Sequence, residues 1–330
     1  MENLELYLPE KGLLSKYITI NRNTKIQIYN RNLPNFLSRI LECCIFSSRF
    51  NGSDPLLVMG DLPLRSNCPQ FVFVHTPHLI KSTRVKSKGV DKLRYFIASL
   101  VFELNIKYVK AFIVQTNVMR ENLILSYPRI KEKIHIINQP VPLWLEGYKS
   151  AHSNKIELNK KIKLIYPAAG YPHKNHKLIL SFSQRLIENL PIEKIVFTVE
   201  KNLIKGFDSS RYDFIKFLGE LTPTQMISAY LDTNALLFLS TEESYGLPLI
   251  EAMYLGMPII CPDLPYARSL CKDGAIYFNP SDSESLGNAI IELHKKIQNG
   301  WSADWSNNLA DYPENWNSVA EKFKKIILEC

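Results

Sequence analysis

The stretch from Ala235 to Gly256 constrains the fold of this chain more than any other. It opens on the apolar run Ala235-Leu-Leu-Phe-Leu-Ser240 and continues Thr241-Glu-Glu-Ser-Tyr-Gly-Leu-Pro-Leu-Ile-Glu-Ala-Met-Tyr-Leu-Gly256. A short apolar run of this kind reads as a strand buried on both faces, as in a parallel sheet. The residues after it carry the marks of a helix start near Leu247. Pro248 suits the first turn, where its missing N–H would have no partner anyway, and Gly246 lets the backbone turn tightly and come close to a ligand. Strand, loop and helix in that order turn free N–H groups and the positive end of the helix dipole toward the loop, which suits it to hold a phosphate.

Two carboxylates frame the loop, Glu243 before the turn and Glu251 about one helical turn after it, with seven residues between them. Carboxylates do not bind phosphate, but they accept hydrogen bonds from vicinal hydroxyls, so the arrangement suits a phosphate flanked by sugar or ribose. An ordinary amphipathic helix with a solvated glutamate would need none of the intervening Ser-Tyr-Gly-Leu-Pro-Leu-Ile. Taken with Met257 to Asp263, Gly274 to Pro280 and Ser281 to Ile291, the segment resembles the E-x7-E signature of glycosyltransferase family 4, the group 1 glycosyl transferases. The resemblance covers the C-terminal half and fades toward the N-terminus.

The resemblance implies an α/β fold of the GT-B class, two Rossmann-like parallel-sheet domains facing across a cleft, and a retaining, metal-independent transfer of a sugar from a nucleotide-sugar donor. It implies that Glu251 holds ribose hydroxyls, that Glu243 holds those of the sugar, and that Tyr245, Gly246 and Leu247 contact the donor. It also implies that the turn at Gly219 seats the nucleobase and that Lys174, in a Lys-Asn pair between a strand ending at Pro167 and a helix expected to begin near Asn175, counters the diphosphate. Family members carry an arginine several residues before that lysine, where this chain has Ala168 and Ala169. His173 or His176, when protonated, is the expected compensation. The acceptor is expected to be a saccharide or a lipid-linked saccharide in surface polysaccharide synthesis. A non-catalytic paralogue and a sugar-nucleotide epimerase are the alternatives.

The first half gives a similar rhythm with fewer signatures. β-like runs over residues 4–8 and 25–29, a helix over 33–46 and a strand over 56–59 precede Gln70-Phe-Val-Phe-Val-His-Thr-Pro-His78. That buried-type strand ends on His75 and His78, and parallel sheets place their ligands beyond strand C-termini, so both histidines are candidates to face a cleft. The family's cleft histidine matches His75 by position. A satisfied loop histidine is the other reading for one of the two. The family opens on a strand, a glycine-rich turn and a helix, but the first glycine here is Gly12, followed by Leu-Leu-Ser-Lys. The first domain is therefore expected either to lack its opening unit, leaving the acceptor side open, or to carry a form of it diverged beyond recognition. The expected organisation is an acceptor-side domain over residues 1–145, a linker over 146–160, a donor domain over 161–310 and a final helix over 311–330 returning toward the first domain.

Charge adds one further candidate surface. Residues 81–110 hold eight Lys and Arg against two Asp and Glu, a local excess of 8 − 2 = +6 within a chain of net charge +8. With apolar Leu79, Ile80, Val85 and Val90 beside them, they read either as a solvated basic face or as a surface resting on an anionic bilayer. No binding motif accompanies the charge, so nucleic acid is not an expected partner. No G-x-G-x-x-G follows a strand, which sets aside a nicotinamide dehydrogenase. The six cysteines show no metal-ligand spacing, and no metal site or cofactor is expected. The start Met-Glu-Asn-Leu-Glu offers no basic region before an apolar one, so the expected location is the cytoplasm, with peripheral contact at the inner face of the membrane.

Overall fold

The computed structural model describes residues 4–10, 24–31, 33–52, 54–81, 89–151 and 160–329. The chain forms two compact units, one of Met1–Val74, His78–Ile113 and Ser126–Lys133, the other of His75–Pro77, Val114–Leu125 and Ile134–Cys330.

In the first unit β1 (Leu4–Pro9) and β2 (Thr24–Tyr29) pair in parallel as a sheet of their own. Gly12, where the family's opening turn is expected, lies between them and outside the described residues. The helix Asn35–Cys44 turns Glu42 inward, where Arg31 donates to both carboxylate oxygens at 2.7 and 2.8 Å and Arg39 adds a contact at 3.4 Å. A carboxylate so far from water is retained only when paired. A second sheet runs β3 (Leu56–Val58), β4 (Gln70–Phe73), β5 (Val109–Val114) and β6 (Ile134–Ile136) in that spatial order. The pairs β3–β4 and β4–β5 are parallel, and Phe71 to Phe73 and Ala111 to Val114 are buried throughout. That burial explains why both strands read as unbroken apolar runs rather than alternating ones.

The second unit is built on six parallel strands, β7 (Ile162–Tyr166), β8 (Ile192–Phe197), β9 (Ile215–Phe217), β10 (Ala235–Leu237), β11 (Ile259–Pro262) and β12 (Ile276–Phe278). Their spatial order is β12-β11-β10-β7-β8-β9. Counted from β7 this is the 3-2-1-4-5-6 order of a Rossmann sheet, which grows outward in one direction from β7 and in the other from β10. Loops leaving the C-terminal ends of β7 and β10 therefore diverge to opposite sides and leave a crevice between them. Edge-on contacts of Tyr166 with Phe197 and Phe238, with centroids 6.1 and 5.8 Å apart, fill the core beneath that point.

Helix starts obey their sequence signals. Thr222 and Gln225 close the capping box of the helix Pro223–Leu231, and Asp282 accepts from the Glu284 N–H at 2.9 Å to start the helix Ser283–Gln298. One expectation is corrected. The segment after β7 does not enter an α-helix near Asn175 but makes two 3-10 turns, Pro172–Lys174 and His176–Ser181. Asn175 between them sits at φ 54° and ψ 30°, a left-handed conformation that breaks the helical path. Among the described residues no helix is long and apolar enough to cross a membrane.

Candidate active site

The crevice at the switch point of the six-stranded sheet collects the chemistry. After β7 the chain reaches Lys174; after β10 it runs through Thr241–Gly246 into the helix Leu247–Leu255. Gly246 caps that helix at φ 81° and ψ 48°, where a side chain would be strained. A glycine cap also supplies no side-chain oxygen to the first N–H groups, and Leu249 N–H closes back on the Gly246 carbonyl at 2.9 Å. Pro248 stands within the first two helical positions, as its chemistry requires.

The two loops are tied to each other by backbone. Thr241 donates its N–H to the His173 carbonyl at 2.8 Å, and the hydroxyls of Thr241 and Ser240 reach the same oxygen at 3.1 and 3.3 Å. Tyr166 anchors the Lys174 carbonyl at 2.6 Å, and Asn175 donates its side-chain amide to the Pro280 carbonyl at 3.0 Å. Thr116 donates to the Ser244 carbonyl at 3.3 Å. With so many fixed points the loops hold their side chains in place, as a site that works by charge requires.

Lys174 and Glu243 meet directly. The ammonium lies 2.5 Å from Glu243 Oε1, and the two side chains are only 17% and 14% exposed. The residue expected at the diphosphate and the residue expected at the sugar thus neutralise one another. Glu251 lies deeper, buried in the helix Leu247–Leu255, with one oxygen accepting from the Tyr230 hydroxyl at 2.6 Å. Burial pushes its carboxyl up to about 7, against the downward pull of that hydrogen bond.

The structure refines several sequence expectations. Tyr245 is buried, and its hydroxyl exchanges hydrogen bonds with the Gln139 backbone, accepting from the N–H at 2.8 Å and donating to the carbonyl. Its side chain is thereby committed to holding the loop. His176 is corrected as a compensating cation. It is buried between the rings of Tyr166 and Phe197, each centroid 5.0 Å away, its Nε2 has no hydrogen-bond partner, and burial with Lys174 nearby brings its pKa down to about 4. It is neutral at pH 7. His173 stacks on Tyr171 at 5.7 Å, and of the two alanines before it Ala168 is buried and Ala169 exposed. Leu247 stands partly open at the helix start. Gly219 comes after β9 at φ 67°, with the Glu200 carboxylate standing where a Cβ would be. His75 lies two residues past β4 and groups by contact with the second unit, while His78 stacks on Tyr95 with centroids 4.2 Å apart.

Sequence reasoning misses two residues. Tyr230 holds Glu251 from within the helix Pro223–Leu231, and the available signal is a tyrosine on an otherwise apolar helix face, which needs a partner for its hydroxyl when buried. Glu200 lies three residues beyond β8, at a strand end that faces the crevice side of the sheet. Among the described residues no three His, Cys, Asp or Glu side chains gather to hold a metal ion.

Comparison with known proteins places this geometry. The profile described as "Glycosyl transferases group 1" matches residues 149–310. The O-antigen chain mannosyltransferase RfbU of Salmonella typhimurium is 25% identical over 236 residues, which cover 67% of this chain and 63% of that protein. The chain thus matches less than two thirds of that relative's length. Among solved structures, a glycosyltransferase from Rickettsia africae aligns over 100% of this chain and 99% of its own, with TM-score 0.66 and 13% identity. Anabaena HepE, solved in complex with UDP and glucose, aligns over 93% of this chain and 87% of its own, with TM-score 0.63 and 15% identity. The fold is that of the GT-B glycosyltransferases, α/β with parallel sheets. Residues 149–310 thus form a domain of the group 1 glycosyl transferases.

Proposed function

We propose that the chain transfers a hexosyl group, with retention at the anomeric carbon, from a nucleotide-sugar donor to a saccharide or lipid-linked saccharide in surface polysaccharide synthesis. The carrying observation is the meeting of Lys174 and Glu243 at the sheet's switch point, in front of the Leu247 helix start. Breaking the anomeric bond places charge on the departing nucleoside diphosphate. Lys174 and the positive end of that helix's dipole are the preorganised counter-charges, and no divalent metal is assigned a part. Glu243 accepts from hydroxyls of the transferred sugar, Glu251 from the ribose, and the turn at Gly219 beside Glu200 seats the base. Positioning an acceptor and excluding water need a residue beyond the donor contacts, for which His75 is the candidate. The mannosyltransferase activity in the name of RfbU makes a mannosyl donor the first to try. The acceptor is presented at the inner face of a membrane, on which the chain works as a peripheral enzyme. No specific observation favours the epimerase or the non-catalytic alternative.

The test is a thermal-shift screen of nucleoside diphosphates and sugar nucleotides, followed by detection of released nucleoside diphosphate when a saccharide acceptor is added. A ligand at 100 times its dissociation constant raises stability by about 2.7 kcal/mol, a shift easily read. Failure of every nucleotide to stabilise the chain would remove the donor site; binding without release would leave the site and remove the transfer.

A further inference from the structure

Strands β8 and β9 end level with each other, Phe197 pairing with Phe217, so the residues that follow them stand together at the crevice end of the sheet. Glu200 comes three residues after β8 and Gly219 two after β9. Gly219 holds φ 67°, and the Glu200 carboxyl carbon lies 3.2 Å from where a Cβ on that residue would stand, so only a glycine leaves room for the carboxylate. The segment that carries Glu200 is fixed. The Glu200 carbonyl accepts from the Leu203 N–H at 3.0 Å in the 3-10 turn Lys201–Leu203, Ile204 is buried, and the Phe207 ring meets Phe217 edge-on with centroids 4.8 Å apart.

A cavity of about 490 Å³ opens beside this segment, lined by Glu200, Lys201, Asn202, Ile204, Gly206 and Phe207. Its polar side chains have hydrogen-bonding capacity left. Among the described residues no hydrogen bond or ion pair engages the Glu200 carboxylate or the Asn202 amide, and Lys201 lies over the Phe207 ring, 5.2 Å from its centroid. Three exposed groups on one rim thus offer a two-oxygen acceptor and two donors beside the apolar walls of Ile204 and Phe207. A cavity of that size, largely apolar with a few convergent polar groups, is of the kind that holds a small flat ligand.

We propose that Glu200 selects guanine as the donor's base, its carboxylate accepting from N1–H and the 2-amino group together while the Asn202 amide donates to O6. A carboxylate can only accept, so it favours a base edge that sets two donors side by side. Guanine presents such an edge. Uracil offers a single N–H between two carbonyl oxygens, and adenine and cytosine each set a bare ring nitrogen beside the amino group, so all three would turn a lone pair toward an oxygen of Glu200. A site built to meet both donors is left with an unmet acceptor when either is missing, which is the stronger way to discriminate. The inference deepens the proposed function by naming the nucleotide, and it rests on the reading that the turn at Gly219 seats the base.

The experiment is isothermal titration of the full chain with GDP, UDP, ADP and inosine diphosphate, the last of which lacks the 2-amino group. GDP should bind at least about tenfold more tightly than UDP or ADP, the scale of one bidentate contact to a base edge, with inosine diphosphate in between. Glu200→Gln and Glu200→Ala should each bring the ratio of GDP to UDP affinity toward one, with the melting temperature as in the wild type because the side chain is exposed. UDP, ADP or inosine diphosphate binding to the wild type as tightly as GDP would overturn the inference and leave the donor site standing. So would a GDP preference that survives both variants. Failure of the proposed donor site looks different: no nucleoside diphosphate binds at all, which would remove that site and this inference with it.

Discussion

Replacing Glu251 with glutamine should stabilise the ligand-free protein, and by an amount that depends on pH. The buried carboxyl is raised from an ordinary 4.5 to about 7, a difference of about 2.5 units, and each unit is worth roughly 1.4 kcal/mol. Because the folded-state value lies above the unfolded one, the charge opposes folding: the cost is absent below pH 4.5, grows between 4.5 and 7, and is complete above 7 at about 3 kcal/mol. Glutamine carries no charge to desolvate, while its amide oxygen still accepts from the Tyr230 hydroxyl. The advantage of Glu251→Gln should therefore be about 1 kcal/mol or less near pH 5 and about 3 kcal/mol at pH 8, a gain of roughly 4 °C in melting temperature at the higher pH. Thermal and urea denaturation at four pH values between 5 and 8 measure it. The same variant should bind nucleoside diphosphate about tenfold or more weakly, because a charged acceptor for ribose hydroxyls is lost. A stability difference that stays flat from pH 5 to pH 8 would refute the argument, since it would mean that the carboxylate is not desolvated in the folded chain.

Two further outcomes are expected at the same site. Lys174→Ala should lower turnover by about two to three orders of magnitude, the scale of losing one preorganised donor to developing charge, with the fold intact by circular dichroism; near-wild-type turnover would take the lysine out of the mechanism. Transfer should persist in excess EDTA, because Lys174 and the Leu247 helix start supply the positive charge, and full loss in chelator restored by magnesium or manganese would assign that role to a metal instead.

Much of the second unit is legible in the sequence because its signals are local. The apolar run at β10, Gly246 and Pro248 at the helix start, and the capping box at Thr222 each act within a few residues, and each lies where its chemistry puts it. The left-handed Asn175 is not legible, because Lys-Asn ahead of an apolar stretch is compatible with a helix start. Its conformation is fixed by distant partners, the Pro280 carbonyl holding its amide and Tyr166 holding the carbonyl before it. The role of Tyr245 escapes sequence reasoning for a related cause. A tyrosine in a ligand loop reads as a contact residue, and nothing local shows that Gln139, 106 positions away, also takes its hydroxyl's hydrogen bonds. The same holds for His176, whose neutrality comes from burial against aromatic rings that only the sheet brings together. Residues 11–23, on which the expectation of a missing glycine turn falls, lie outside the described residues.

Two carboxylates beside a phosphate site would ordinarily repel the ligand they are meant to position. In this chain each is neutralised by a different route. Glu243 is held by Lys174 at 2.5 Å, so that pair carries no net charge, and Glu251 is half protonated near pH 7 because burial makes its charge costly. On the proposed function, an arriving diphosphate therefore meets the dipole of the Leu247 helix rather than two bare anions. An ammonium has three donors on a flexible stem, so Lys174 can turn one toward a phosphate oxygen while keeping another on Glu243. Ribose hydroxyls donating to Glu251 favour its ionised form, so donor binding should draw the proton off that carboxyl. The negative charge that would hinder an empty site thus becomes fully expressed only once hydroxyl donors are present to meet it.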